Sequence, residues 1–338
     1  MLVGKHSHDD LAECKATTDT IKSGILLVKG KVGEGGNKIN WNDTDGVPCI
    51  LGEKHKSLSQ LLVGGGSGVM LKDGTFLFPV EGTKKKEEKD GKTVSLIIYS
   101  LKEVTNWTLS KGMSADGCGV PSVVEWEDKL MMMTACDDGR RRVYESGDKG
   151  ESWTEALGTL SRVWGNKHNG NEKRVGSGFT TAKIDGVEGN RNVMLVTLPV
   201  YPEEESKKEN RKGKLHLWLT DNTHIVDIGP VSDDDDAAAS SLLYRSGETN
   251  ELIALYEKKK VDADTPSPGM VSVRLTEQLK RVKEVVATWK EVDERVSRLC
   301  PLSSASLSKS ADDACSTTDK ITDGLVGFLS GNLSDGTW

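Results

Sequence analysis

The side chains with the most evident chemistry are an acidic run and two isolated histidines. Asp233 to Asp236 place four consecutive carboxylates in one segment, and such groups could hold a hard cation. The run lacks the alternating spacing of a calcium loop, so a solvated surface loop is the favoured interpretation. His168 and His216 have neither an HExxH pattern nor cysteine partners nearby. The sequence therefore predicts no metal site and no cofactor.

A basic run and the overall charge limit the classes of ligand. Arg140 to Arg142, with Gln60, could line a groove, although a basic run beside a hairpin more often faces solvent. The chain has 45 basic and 52 acidic residues and a net charge of -7, which disfavours nucleic acid and anionic membranes as partners. No run approaches the roughly 18 apolar residues of a membrane span. The first residues hold no long apolar stretch, so we expect neither a signal peptide nor a membrane anchor in this chain.

One motif reports on the fold. Ser146, Asp148, Gly150 and Trp153 form the pattern Ser-x-Asp-x-Gly-x-Ser-Trp, which matches the Asp box of sialidase-type β-propellers. Its chemistry is that of a turn: the Asp accepts bonds from backbone amides, the Gly tolerates positive φ, and the Trp packs beneath. A decayed copy ends at Trp107, and the separation of the two tryptophans is close to a blade repeat of roughly 40 to 50 residues.

Further segments narrow the resemblance. Residues 159–165, 217–222 and 324–330 resemble the trypanosomal trans-sialidase superfamily of surface glycoproteins. That family has a six-bladed sialidase propeller, a long helix and a lectin-like β-sandwich. The resemblance implies an all-β chain that begins after the first blade, and so forms a partial six-bladed propeller, and that ends before the sandwich.

Active members of this family cleave or transfer terminal sialic acid with a Tyr nucleophile. The anomeric carbon carries the carboxylate of the sugar, so an anionic nucleophile would be repelled, whereas a Tyr activated by a Glu can attack. Three arginines bind the carboxylate and an Asp acts as acid and base. One arginine and this Asp belong to the first blade, so we do not expect them in this chain.

The resemblance can be followed position by position. Ala239 stands where the family has its nucleophilic Tyr, and Glu257 matches the Glu partner, although it could equally be an ordinary surface residue at a strand end. Ala135 and Lys212 fall at two of the arginine positions, and Val120 falls at a second acidic position. Losing charge-assisted bonds worth roughly 1.5 to 3 kcal/mol each should weaken sialic acid recognition by several orders of magnitude.

These substitutions predict a catalytically inactive, trans-sialidase-like surface glycoprotein. The family implies a location at the cell surface or outside the cell, and a role in adhesion to host sialoglycoconjugates or extracellular matrix proteins, or in antigenic variation. One alternative is an exo-α-sialidase or trans-sialidase, for which Tyr244 or Tyr256 would have to replace the nucleophile. The other is a gene fragment without function.

Cysteines and sequons give weaker signals. The six cysteines show no CxxC metal spacing, so reduced structural thiols and disulfides are equally compatible with the sequence alone. The extracellular family favours a disulfide between Cys300 and Cys315. Asn42, Asn106 and Asn332 begin glycosylation sequons.

The elements that must position these residues are mainly strands. Hydrophobic residues make up 36% of the chain and charged residues 29%, which is typical of a globular protein. Short apolar runs alternate with turn residues up to Thr276, for example around Asp73-Gly74. Apolar residues then recur three or four apart, which predicts an amphipathic helix; they are Leu279, Val282, Val286, Trp289, Val292, Val296 and Leu299.

The expected domain boundaries follow from this pattern. Residues 1–276 are assigned to the partial propeller and 277–300 to an interdomain helix. The Ser-rich and Asp-rich segment 301–338 reads as a linker towards the absent sandwich.

Overall fold

The apolar runs fold into twenty β-strands and one helix in the described part of the chain. The structure is a computed structural model. It describes the following residues: 1–4, 22–23, 25–36, 38–46, 57–85, 91–100, 107–165, 174–184, 191–201, 212–247, 250–258 and 269–299.

The strands form five sheets. The first sheet has the order β1-β3-β4, made of β1 (Leu2–Gly4), β3 (Ile25–Val32) and β4 (Ile39–Gly46). The second sheet has the order β2-β5-β7-β8-β9, with β6 also paired to β7. Its members are β2 (Lys22–Ser23), β5 (Leu58–Val63), β6 (Val69–Met70), β7 (Phe76–Lys84), β8 (Thr93–Ser100) and β9 (Trp107–Leu109).

The remaining three sheets are antiparallel meanders in chain order. The third sheet consists of β10 (Cys118–Trp126), β11 (Lys129–Cys136), β12 (Arg141–Ser146) and β13 (Thr154–Glu155). The fourth consists of β14 (Gly178–Ile184), β15 (Arg191–Val200), β16 (Lys214–Thr220) and β17 (Ile225–Pro230). The fifth consists of β18 (Ala237–Arg245), β19 (Glu251–Lys258) and β20 (Gly269–Arg274).

Each sheet packs on the next one along the chain. Four apolar clusters fill the four interfaces between consecutive sheets. The triple methionine in β11 shows why: Met131 and Met133 pack towards the fourth sheet, whereas Met132 packs towards the second. Since side chains alternate across a strand, a blade covered on both faces needs a continuous apolar run. This arrangement of successive small sheets is a β-propeller.

The all-β propeller expected from the sequence is confirmed. The described residues form five sheets. The finer expectation of six blades with the first one missing is not confirmed.

A single helix, α1 (Thr276–Leu299), follows β20 and contacts β17 and β19. Leu279, Val282, Val286 and Trp289 are buried on the fourth and fifth sheets. Val292, the next residue of the expected stripe, is 47% exposed. The packed part of the helix therefore ends one turn after Val286. Among the described residues, no helix has the length and apolar character needed to cross a membrane.

A polar cluster fixes the helix to the fourth sheet. Arg191 at the start of β15 pairs with the buried Asp221 and, at 2.9 Å, with Asp293 of α1. The Arg191 guanidinium lies 5.5 Å from the ring centroid of Trp289, and the ring of His224 stacks on the same indole at 5.0 Å. Helix and sheet are thus joined by charge as well as by apolar packing.

A disulfide joins Cys118 to Cys136, which are directly opposite each other on β10 and β11. The sequence analysis did not single out this pair. The expected Cys300 to Cys315 disulfide lies outside the described residues, as do the sequons at Asn106 and Asn332. Asn42 lies in β4.

Candidate functional site

Two β-bulges hold two of the positions that the sequence resemblance predicts to correspond to catalytic residues. The register between β10 and β11 shifts between Gly119 and Ser122, so Val120 lies in a bulge. The register between β18 and β19 shifts between Ala237 and Ser240, so Ala239 lies in a second bulge. Bulges re-aim side chains away from the regular pleat, and they recur next to active sites.

These positions converge on Gly176. An added Cβ on Gly176 would lie 3.4 Å from Val120 Cγ1 and 3.9 Å from Ala239 Cβ. Ala135 is paired with Gly119 across β10 and β11. The structure therefore brings together the positions of the expected nucleophile, one arginine and the second acid. None of the three carries a polar side chain.

Buried hydrogen bonds tie the surrounding sheets together. Ser122 Oγ donates to the Ser177 carbonyl at 2.7 Å, and the Ser240 N–H donates to the Gly176 carbonyl at 3.0 Å. The hydroxyls of Ser240 and Thr197 are 2.9 Å apart. The segment that leads into β14 is thus hydrogen-bonded to both the third and the fifth sheets.

The backbone at Val120 is strained. Its φ is 50°, a left-handed conformation that a β-branched residue rarely adopts. Its N–H donates to Glu81 Oε2 at 2.8 Å. Glu81 is a residue that the sequence analysis missed, because β7 meets β10 only through the packing of the second sheet on the third.

Lys212 and Glu257 lie on either side of the second bulge. Lys212 is exposed, and the carbonyl of the adjacent Gly213 accepts from the Ala237 N–H at 2.8 Å. Glu257 is half-buried and follows Tyr256, which is paired with Ser240. Both aligned residues therefore flank the site that the bulges define.

The two tyrosines proposed as substitute nucleophiles are already engaged. Tyr244 donates its hydroxyl to the Lys183 carbonyl at 3.0 Å. Tyr256 donates to Asp235 Oδ2 at 3.0 Å. Burial, and secondly the bond to Asp235, raise the pKa of Tyr256 to about 12. This shift disfavours the phenolate that a nucleophile needs.

The acidic run is dispersed among separate partners. Asp235 pairs with Lys258, whose hydrogen bond lowers the pKa of that carboxyl. Asp236 accepts from the Gly213 N–H at 2.8 Å, and Asp234 lies 3.3 Å from Lys214 Nζ. No group of three or more His, Cys, Asp or Glu side chains in the described ranges is placed to hold a metal ion.

The Asp box forms a closed turn between β12 and β13. Asp148 Oδ1 accepts from the Ser152 N–H at 2.9 Å and from Ser146 Oγ at 2.8 Å. Gly150, at φ 82°, donates its N–H to Ser146 Oγ at 2.8 Å. Trp153 packs on the cluster between the second and third sheets. The motif residues hold the loop and contribute nothing to the bulge site.

A cavity of about 200 Å³ lies beside the bulge site, between the third and fourth sheets. Ala135 forms part of its wall. Arg140 and Arg141 also line it, whereas Arg142 pairs instead with Asp138 at 2.8 Å. Gln60 lies in β5 and is not among the lining residues. Only part of the basic run thus reaches a groove.

Comparison with known proteins decides the family. Residues 1–257 match the family described as BNR repeat-like domain. The chain is 36% identical over 311 residues to "Sialidase 85-1.1" of Trypanosoma cruzi. The matched region covers 89% of this chain and 36% of the relative. A second "Sialidase" of the same organism is 34% identical over 275 residues, and this match covers 79% of this chain and 22% of that relative.

The chain belongs to the trans-sialidase superfamily, with a BNR repeat-like domain. The resemblance predicted from its sequence motifs is confirmed. This superfamily member spans about a third of the length of the first relative and about a fifth of the length of the second.

Solved structures agree with this assignment. "Trypanosoma rangeli sialidase" superposes with a TM-score of 0.67 at 32% identity, covering 82% of this chain and 43% of that one. The same sialidase "in complex with sialic acid" gives a TM-score of 0.69 at 30% identity, covering 88% and 46%. The "Hadza microbial sialidase Hz136", at 17% identity and TM-score 0.54, shares the fold.

Proposed function

We propose that this superfamily member is a non-catalytic binding protein of the cell surface or extracellular space, which attaches to sialoglycoconjugates or extracellular matrix proteins of a host. The observation that carries the proposal is Ala239, the residue that the family resemblance assigns to the nucleophile position: it lies in a β-bulge, and its side chain is a methyl group. A methyl group can neither attack an anomeric carbon nor be activated by Glu257.

The partners of the neighbouring tyrosines support the same proposal. Tyr244 donates its hydroxyl to a backbone carbonyl, and Tyr256 donates its hydroxyl to a carboxylate, with its pKa raised to about 12 by burial and by this bond. Using either group would first require breaking these bonds. Ala135 and Val120 remove further polar groups from the same place.

A sialidase or trans-sialidase activity is the second candidate. Its support is the identity to proteins named sialidase and the half-buried Glu257 beside the second bulge. This alternative needs a nucleophile that Ala239 does not supply, so it predicts turnover that depends on Tyr244 or Tyr256.

Binding to immobilised glycoproteins tests the proposed role. The chain is passed over a sialylated glycoprotein, the same glycoprotein after removal of sialic acid, and an extracellular matrix protein. We expect saturable binding to the sialylated glycoprotein or to the matrix protein, with no release of sialic acid. Absence of binding to all three by a protein that melts cooperatively would contradict the proposed role.

A further inference from the structure

The cavity between the third and fourth sheets is rich in hydrogen-bond donors. Arg140, Arg141 and Arg174 line it together with Trp164 and Trp218, and no carboxylate is found among the described lining residues. Arginine is always charged at physiological pH and has no acceptor atom. The cavity therefore suits a ligand that is itself an acceptor, and above all an anion.

Arg174 lies where the cavity meets the bulge site. Its Nη1 is 2.9 Å from the place where a Cβ of Gly119 would lie, and Glu81 Oε2 is 2.3 Å from the same place. Its ion pair with Asp137 is long, 3.7 Å, and the Asp137 side chain is 69% exposed. Such an exposed pair is weak, so a bound anion would compete with Asp137, and with the nearby Glu81 carboxylate, for this guanidinium.

Arg140 is a second cationic residue of the cavity wall. It is exposed, and its Cγ is 3.3 Å from the place where a Cβ of Gly165 would lie. No ion pair with another described residue engages its guanidinium. Arg141, in contrast, donates from Nη2 to the Val175 carbonyl at 3.0 Å and so stiffens the wall.

The two tryptophans form an apolar part of the wall, and their indole N–H groups lie beneath its surface. Trp164 is 4% exposed, and the two rings pack edge to face with centroids 6.4 Å apart. Both indole nitrogens are buried without a hydrogen-bond partner. Buried donors are normally satisfied, and these two belong to side chains that line the cavity.

We propose that this cavity binds the carboxylate of an acidic sugar, with Arg140 and Arg174 as its cationic contacts. The planar fork of arginine matches the two oxygens of a carboxylate, and the indole rings offer an apolar surface to the body of the sugar. Ala135 offers no charge to an anion, so in this proposal the anion is bound by arginines on two neighbouring loops instead. The choice of an acidic sugar rests on the proposed function, whereas the choice of an anion rests on the cavity lining alone.

Calorimetric titration of the whole chain with N-acetylneuraminic acid, glucuronic acid, the methyl ester of N-acetylneuraminic acid, and sodium sulfate tests the proposal. We expect at least one free acid to bind more than tenfold tighter than the methyl ester. Arg174→Gln and Arg140→Gln should each weaken that binding by about tenfold or more, as expected for a lost charge-assisted bond. Arg245→Gln is the matched control, since Glu251 keeps Arg274 as a partner, and it should leave affinity unchanged.

Three results would overturn the proposal: neither acid binds, both variants bind like the unaltered chain, or sulfate binds as tightly as the acids. All variants must melt cooperatively within a few degrees of the unaltered chain. Failure of the cavity and failure of the proposed function can be told apart. If glycoprotein binding survives both substitutions, the proposal for the cavity is wrong and the proposed function stands. If the free acids bind but no glycoprotein does, the proposed function is wrong and the proposal for the cavity stands.

Discussion

Arg191 is a polar residue whose removal should weaken the docking of the helix. Arg191→Met keeps much of the aliphatic stem but deletes the bonds to Asp221 and Asp293 and the contact with Trp289. A bond to a buried charged group is worth about 1.5 to 3 kcal/mol, the exposed Asp293 pair at most about 1, and the ring contact about 0.5 to 1. Since these contributions overlap, we expect a loss of about 2 to 4 kcal/mol.

Urea unfolding monitored by tryptophan fluorescence and by circular dichroism measures this loss. Arg274→Met is the matched control, because Arg274 is 67% exposed at the side chain and its partner Glu251 retains Arg245. The control should lose less than about 1 kcal/mol. If Arg191→Met costs no more than the control, the polar cluster does not hold the helix and the reasoning is refuted.

Three further predictions concern the propeller itself. Replacing Cys118 and Cys136 by Ser opens an 18-residue loop and should cost about 3 kcal/mol, measured as a lower melting temperature than that of the unaltered chain, with both samples kept free of reductant. The hydrogen bond from Arg162, followed by that from Ser161, lowers the pKa of the Glu155 carboxyl from 4.5 to about 2. The stability that these bonds contribute is fully present above pH 4.5 and is lost as pH falls through about 2. Glu155→Gln should therefore flatten the acid limb of stability against pH, and an unchanged limb would contradict it. Asp148→Ala removes the acceptor of the Asp box turn. It should lower the free energy of unfolding by only about 1 kcal/mol, because much of that side chain is solvated. An equal loss from Asp234→Ala would show that the turn does not stabilise the fold.

Local patterns in the sequence predicted most of the elements that the structure contains. The turn at Asp73-Gly74 and the run Met131 to Met133 depend on backbone conformation and on alternation between two packed faces. Both are properties of neighbouring residues, so they can be read along the chain. The helix was also visible in this way, but its packed face ends at Trp289 because the stripe continues past the sheets that cover it.

The parts that the sequence did not predict depend on register and on packing between sheets. Cys118 faces Cys136 only because the bulge at Val120 shifts the pairing of β10 with β11. Glu81 and Arg174 approach Gly119 from 38 and 55 residues away, and no spacing rule connects them. The cavity is formed by two sheets, so no single segment carries a signal for it.

The most direct test of the central claim is hydrolysis of a fluorogenic sialoside by the purified chain, with Ala239→Tyr, Tyr244→Phe and Tyr256→Phe measured in parallel. Each sample must first show a cooperative melt. The account predicts no turnover above a no-protein blank by the unaltered chain or by either Phe variant. Turnover by the unaltered chain that either Phe substitution abolishes would contradict it and identify the protein as an enzyme with a relocated nucleophile.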